Sequence, residues 1–245
     1  MIDIHCHMLP LVDDGAESLD EALEMARLAA DSGVSAVIAT PHCNLPFAQD
    51  QNYKTDEFSR RFTLFQRSLA LSGIPLRVYP GAEILCTPEV PRLLREGKLL
   101  TLAGGPYVLV EFFFDESADY IDDMLAAIAE QGYIPVLAHP ERYEAVQRNP
   151  AIAQRWFHTG YIIQLNKGSI LGRLGRRAQR CAYWLLERGL AHVVASDAHS
   201  AQSRTPRMDE LEQLLYELCG VNYAHILLRE NPERILRGQR VVESE

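Results

Sequence analysis

The sequence has no stretch approaching the ~18 continuous apolar residues that a membrane span requires, so no transmembrane helix is expected. It also lacks an excess of positive charge. Its 24 Lys and Arg stand against 33 Asp and Glu, for a formal net charge of -9. That balance argues against a non-specific surface for nucleic acid or anionic membrane. The five cysteines (Cys6, Cys43, Cys86, Cys181 and Cys219) are odd in number and scattered, with no CxxC pair. They fit reduced thiols in a cytoplasm rather than a disulfide framework. No basic segment or long apolar run precedes the first histidines, so no signal peptide is expected. Nor does any linker or low-complexity tract divide the chain, and its 245 residues are expected to form a single domain, 1–245.

The most informative residues come first: Met1-Ile2-Asp3-Ile4-His5-Cys6-His7. Side chains alternate along a strand, which would put Asp3, His5 and His7 on one face and Ile2, Ile4 and Cys6 on the other. Two imidazoles at i and i+2 are well placed to grip one metal ion. A lone His-x-His is a weak signal, since a polar strand face gives the same pattern. A loop with turn-formers follows (Pro10, Asp13, Asp14, Gly15), then a helix opened by Ser18 and closed before Gly33.

From there a unit recurs in which a glycine ends a helix, a short apolar strand follows, and a polar residue sits where the strand stops. Gly33 leads into 34–40 and then His42, and Gly73 into 74–79 and then Glu83. Gly132 leads into 133–138 and His139, Gly160 into 161–165 and Asn166, and Gly189 into 190–195, Asp197 and His199. A further strand, 107–110, ends at Glu111. Strands alternating with helices predict an α/β fold of parallel βαβ units, closed into a distorted (β/α)7 barrel. Such barrels place their chemistry at the C-terminal ends of strands. The ligand-type residues lie there. A helix is expected over 208–218, and a closing helix with Asn231 as its N-cap and Pro232 at its first position.

The candidate ligands at that mouth are His5, His7, Asp14, His42, Glu83, Glu111, His139, Asp197 and His199. They are too many for one tetrahedral zinc and suit two or three divalent ions with mixed N/O ligands. With four carboxylates and no thiolate, manganese or iron is as well suited as zinc. His158, His192 and His225 fall off the pattern and are expected to be structural. Arg142 and Arg204 each follow a ligand closely, and guanidinium is the preferred partner of phosphate oxygens. Cys86-Thr-Pro-Glu-Val-Pro-Arg92 formally matches the C-x5-R loop of cysteine-based phosphatases, but Pro88 and Pro91 remove phosphate-binding N–H groups, so the match reads as accidental.

Taken together, the HxH, Thr-Pro-His42, Gly-Ala-Glu83, Glu111, His139-Pro-Glu-Arg142-Tyr143 and Ser-Asp197-Ala-His199 motifs resemble the PHP (polymerase and histidinol phosphatase) superfamily. The Val-Asp-Asp14-Gly15 loop, the Glu-Arg-Tyr segment and the terminal Asn-Pro resemble its CpsB/YwqE-type branch, over essentially the whole chain. That resemblance implies a manganese-dependent protein-tyrosine phosphatase of capsule or exopolysaccharide biosynthesis. Its substrate would be a phosphotyrosine protein, the tail of a bacterial tyrosine autokinase. It further implies three metals: His5, His7, Glu83 and Asp197 on the first; Asp14 (with Asp13 as the alternative), His42 and His199 on the second; Glu111 and His139 on the third, with Glu83 bridging. A metal-activated hydroxide would attack phosphorus while Arg142 and Arg204 offset charge on its oxygens. Phe47, Tyr53, Phe112, Phe113 and Tyr143 are candidates to pack the substrate ring. The rival readings are a small-molecule phosphomonoesterase such as a histidinol-phosphate phosphatase, an amidohydrolase using a strand-end lysine (Lys167), and a non-catalytic binding module.

Overall fold

Nine parallel strand segments alternate with helices in the computed structural model, which describes residues 1–46 and 51–243. They are β1 (Ile2–Cys6), β2 (Ala36–Ala39), β3 (His42–Cys43), β4 (Arg77–Pro80), β5 (Glu83–Leu85), β6 (Tyr107–Glu111), β7 (Ile134–Ala138), β8 (Ile162–Asn166) and β9 (Val193–Ala195). The helices are α1 (Leu19–Asp31), α2 (Asp56–Leu71), α3 (Val90–Arg95), α4 (Ala118–Ala129), α5 (Glu144–Arg148), α6 (Ala151–Thr159), α7 (Lys167–Ile170), α8 (Arg176–Leu186), α9 (Asp209–His225) and α10 (Asn231–Leu236).

Seven expected strands become nine because two of them break. The lower halves β2 and β4 continue the sheet from β1, in the order β1-β2-β4. The upper halves β3 and β5 open the second sheet, β3-β5-β6-β7-β8-β9. Pro41 has no N–H to give a ladder where the second strand breaks. Gly81 sits at the break in the third, where an added Cβ would lie 2.7 Å from Ile38 Cγ2. The circuit closes where β9 meets β1: Asp197 N donates to His5 O (2.9 Å), and His7 N donates to Ala198 O (2.8 Å). The result is a distorted (β/α)7 barrel.

Two apolar layers hold it. Ile2, Ile4, Ala36, Ile38, Tyr107, Leu109, Val136 and Val193 fill the interior, while Val37, Ala39, Val108, Val110, Leu137 and Val194 pack outward beneath the helices. β1 departs from simple alternation. Asp3 pairs with Val37 but Cys6 with Ala39, so one extra residue is accommodated between them, a β-bulge. Asp3 therefore shares the outward face of Val37 instead of joining His5 and His7, which corrects the expected face. Cys6 also lies in the outer layer, away from the imidazoles.

The closing helix differs too. Asn231 has helical angles (φ -66°, ψ -43°) and follows directly on the π-helical turn Ile226–Glu230, so it is no N-cap. Its buried amide is instead a clasp, donating to His192 O (2.9 Å) and Val242 O (2.8 Å) and accepting from Val242 N (2.8 Å).

His192 lies just before β9, stacked on Phe157 with ring centroids 4.3 Å apart, and its Nδ1 accepts from Ile163 N at 3.1 Å. Burial pushes its pKa down to about 4. Between pH 6.5 and 4 the unfolded chain binds a proton here that the folded chain refuses, so stability falls as pH falls through that window. The expected loss is about 3 kcal/mol. Urea titrations at pH 7.5 and 4.5 should show a steeper acid loss for the native chain than for His192→Gln. Equal losses would remove His192 as the cause.

Candidate metal centre

The bulge in β1 turns His5 toward the interior, and His7 follows at the strand's end, both fully buried. Their ring orientations are set from behind. His5 Nδ1 lies 2.9 Å from Gln164 Oε1, and the Gln164 amide nitrogen is committed to Leu165 O at 2.7 Å. Gln164 therefore offers only its oxygen, and His5 Nδ1 carries the proton. His7 Nδ1 lies 2.7 Å from Asp13 Oδ2, and His199 Nδ1 lies 3.1 Å from Asp197 O. All three rings are thus fixed with Nδ1–H behind and Nε2 forward, the arrangement in which an outer carboxylate or carbonyl orients a metal-binding imidazole.

The forward atoms converge. His5 Nε2 and His7 Nε2 are 3.2 Å apart, and each is 3.2 Å from Glu83 Oε2. Asp197 Oδ1 is 3.4 Å from His5 Nε2 and 3.6 Å from His7 Nε2. Among the described residues His42 Nδ1 is buried without a well-aligned hydrogen bond, 3.1 Å from Glu83 Oε2 and 2.9 Å from Glu111 Oε1. Asp14 Oδ1 lies 3.5 Å from His42 Nε2 and 3.6 Å from His199 Nε2. Among the described residues, three sets have all their ligand atoms within 4.8 Å of one another: His5, His7, Glu83 and Asp197; His7, Asp14, His42 and His199; and His42, Glu83 and Glu111.

Lone pairs of nitrogen and oxygen crowded together, most of them shielded from solvent, require positive charge between them. Electrostatics reports the same demand. Burial alone would depress His5, yet Glu83 and Asp197 raise its pKa to about 9. Likewise Asp13 overcomes burial to raise His7 to about 10, and Glu111 and Glu83 do so for His42, also to about 10. Against the pull of burial, His5 and His139 hold Glu83 well below the usual carboxylate range. His199 is the exception: burial and neighbouring His7 push it down to about 3. The donor set, all N and O with no thiolate, fits hard or borderline divalent cations.

His139 stands slightly apart from these sets, its Nε2 2.9 Å from Glu83 Oε1 and its Nδ1 buried without a partner among the described residues. His42 thus reaches toward the Glu111 set that the sequence assigned to His139. A neutral imidazole with one proton offers one lone pair, however, so His42 can serve only one of the two sets. Both His139 (φ 39°) and Asp197 (φ 50°) occupy left-handed backbone that non-glycine residues seldom adopt. Strain of that kind collects at functional sites.

Asp197 divides its two oxygens. Oδ1 faces the imidazoles, while Oδ2 receives Arg204 Nη2 (2.6 Å), lies 3.6 Å from Arg142 Nη1, and accepts from Asn166 Nδ2. Arg142 also lies 4.3 Å above the exposed ring of Phe114. The aromatic expectation needs correction here. Phe112 and Tyr143 are buried, with Tyr143 Oη bonded to Ala138 O, whereas Phe113 and the unforeseen Phe114 are exposed. Tyr53 is tied to Asn44, and Phe47 lies outside the described residues.

Asp13 and Asp14 take different parts. Asp13 is spent on His7 and on the backbone N–H groups of His42 and Gly15, leaving Asp14 to face the imidazoles. Gly15 makes this turn possible, since a Cβ there would lie 2.0 Å from the His7 carbonyl oxygen.

Two rival chemistries lose their footing. Cys86 is buried, burial pushes its thiol up to about 12, and Arg92 turns outward to Glu96 at 2.7 Å. Lys167 Nζ donates to the backbone carbonyls of Thr205 and Arg207 rather than lying among the imidazoles.

Residues 1–237 match the family model for capsular polysaccharide synthesis, CpsB/CapC. The chain is 37% identical over 243 residues to the tyrosine-protein phosphatase YwqE of Bacillus subtilis (strain 168), covering 98% of this chain and 93% of that one. It is 30% identical over 246 residues to the tyrosine-protein phosphatase CpsB of Streptococcus pneumoniae, covering 98% and 100%. Among solved structures it superposes on a chain from the work on YwqE and CpsB, described as unique metal-dependent tyrosine phosphatases. That match has TM-score 0.92 and 36% identity and covers 100% of this chain and 97% of the other. The phosphotriesterase homology protein of Escherichia coli shares the fold at TM-score 0.63 and 11% identity, covering 95% and 97%.

Proposed function

This chain belongs to the capsular polysaccharide synthesis family CpsB/CapC, and from that premise we propose that it is a metal-dependent protein-tyrosine phosphatase. The observation that carries the reading is the convergence of buried imidazole and carboxylate atoms around Glu83, with two arginines on the far oxygen of Asp197. The whole chain, 1–245, is read as one phosphatase domain.

Nine residues would hold the ions. His5, His7, Glu83 and Asp197 form the first set, Asp14, His42 and His199 the second, and Glu111 and His139 the third, shared through Glu83. Manganese is the proposed metal, because an N/O set rich in carboxylates suits it and the set carries no thiolate to favour zinc. When bound, such ions lower the pKa of water and offset the charge of a phosphoryl group. The chain's own groups do the rest. Arg142 and Arg204 orient the phosphoryl oxygens through charge-assisted N–H bonds. Phe113 and Phe114 offer exposed apolar faces for the tyrosyl ring. Phenolate, with a pKa near ~10, departs without a strong general acid. The substrate proposed is the phosphotyrosine tail of a tyrosine autokinase governing capsule or exopolysaccharide synthesis. Five free cysteines favour a reducing cytoplasm, and no described helix is long and apolar enough to cross a membrane.

Phosphate release from a phosphotyrosine peptide, before and after metal stripping and manganese addition, tests this directly. Activity should vanish with the metal and return with manganese, and Cys86→Ser should behave as the native chain does. Turnover of small phosphomonoesters but not of the peptide would move the protein to the small-molecule branch. Activity indifferent to stripping would sink the metal reading.

A further inference from the structure

The chain carries net charge -9, yet five arginines fall within sixteen residues: Arg173, Arg176, Arg177, Arg180 and Arg188. Arg173 is paired with Glu210, and Arg188 is stacked on Trp184 and lies near Glu187. Arg176, Arg177 and Arg180 are exposed and make no ion pair among the described residues. Their placement costs stability. Arg176 and Arg177 occupy the first turn of α8, where the helix dipole is already positive, and no acid stands there. Arg176 and Arg180 are four apart on one helix, a spacing at which like charges repel.

Arg177 and Arg180 line a groove of about 440 Å3 between α5 and α8, together with Gln147, Arg148 and Trp184. The one carboxylate in it among the described residues, Glu144, is committed to Arg148. The groove adjoins the metal centre through the chain itself. α8 packs against the turn 140–142 that carries Arg142, and Gln147 Nε2 donates to Glu141 O at 3.0 Å. At the other side Glu144 N donates to Phe114 O (2.7 Å), next to the aromatic face that supports Arg142.

We propose that this groove binds the acidic chain flanking the target phosphotyrosine, with Arg177 and Arg180 taking its carboxylates or further phosphates and Trp184 covering its apolar stems. The inference rests on the phosphatase reading of the metal centre. The groove then acts in substrate choice and not in chemistry. A positive surface on an acidic protein concentrates anionic segments that the rest of the molecule repels. Arginine suits either anion through bidentate bonds.

The test compares three substrates on the manganese-loaded enzyme: a phosphotyrosine peptide with Glu and Asp flanks, the same peptide with Gln and Asn flanks, and p-nitrophenyl phosphate. The native enzyme should favour the acidic peptide by about tenfold in kcat/KM at low salt, and the preference should fade by about 0.5 M salt. Arg177→Gln/Arg180→Gln should lose the preference through KM. It should keep kcat and p-nitrophenyl phosphate turnover, and melt no lower than the native chain. A variant that keeps the preference overturns the proposal, as does a native enzyme without one. A parallel fall on p-nitrophenyl phosphate also overturns it, since the arginines would then be serving the barrel. If neither peptide is hydrolysed while p-nitrophenyl phosphate is, the protein-tyrosine reading fails by itself and the small-molecule branch takes its place. Binding of the acidic peptide to native and variant enzyme, read from tryptophan fluorescence, still decides the groove: equal binding rejects it.

Discussion

Glu83→Gln is expected to lower turnover of a phosphotyrosine peptide by about a thousandfold or more, corresponding to about 4 kcal/mol of barrier. Glu83 is almost completely buried, with Oε2 facing His5, His7 and His42 and Oε1 facing His139. Its two oxygens thus reach four of the candidate ligands. The amide is isosteric, so the barrel keeps its shape, but it removes the charge that balances four imidazoles and puts an N–H where a lone pair is needed. Manganese binding, followed by calorimetry, should weaken or lose a site while the far-ultraviolet circular dichroism stays native. A variant with native turnover would show that the cluster around Glu83 is not where phosphate is hydrolysed.

Arg204→Met should lower kcat/KM about 10²–10³-fold, the usual cost of removing one preorganised donor to a developing anion. Arg204→Lys should recover little, because a point charge cannot reproduce a planar fork. The structure separates this from loss of metal. Arg204 meets Asp197 through Oδ2, whereas the imidazoles meet it through Oδ1. Manganese affinity should therefore change far less than turnover. Arg142→Met should act in the same direction and also free the ring of Phe114, so its effect should be larger on peptide than on small aryl phosphates. Manganese affinity that falls in step with turnover would reassign Arg204 as a support of Asp197 alone.

The βα repeat and the polar residue at each strand end were legible because glycine, apolar run and ligand recur in one order. The structure gathers those strand-end residues at one mouth. What was not legible depends on single-residue departures from regularity. The bulge in β1 adds one residue and reverses the face of Asp3, which strict alternation had placed beside His5. Asn231 sits before a proline, as an N-cap would, but the preceding turn is already helical, and tertiary bonds to His192 and Val242 claim its side chain. Gln164 went unnoticed, though a signal existed. An uncharged amide inside the apolar strand Ile-Ile-Gln-Leu must find buried partners, and one of them is His5. Asp13 and Asp14 could not be separated by sequence, because only the fold of the turn shows which carboxylate the backbone consumes.

That turn has a consequence for how relatives of this protein can diverge. Parallel barrels usually change substrate by lengthening or shortening the loops at the strand ends. Here the first loop is tied at both ends, Leu11 N to Ala16 O at 2.9 Å and Ala16 N to His7 O at 3.1 Å, with Gly15 pressed against His7. Inserting or deleting one residue would exchange the stations of Asp13 and Asp14, so that the carboxylate holding His7 and the one facing His42 and His199 would both be misplaced. A change of length in this segment would therefore disturb the ligand set before it could alter specificity.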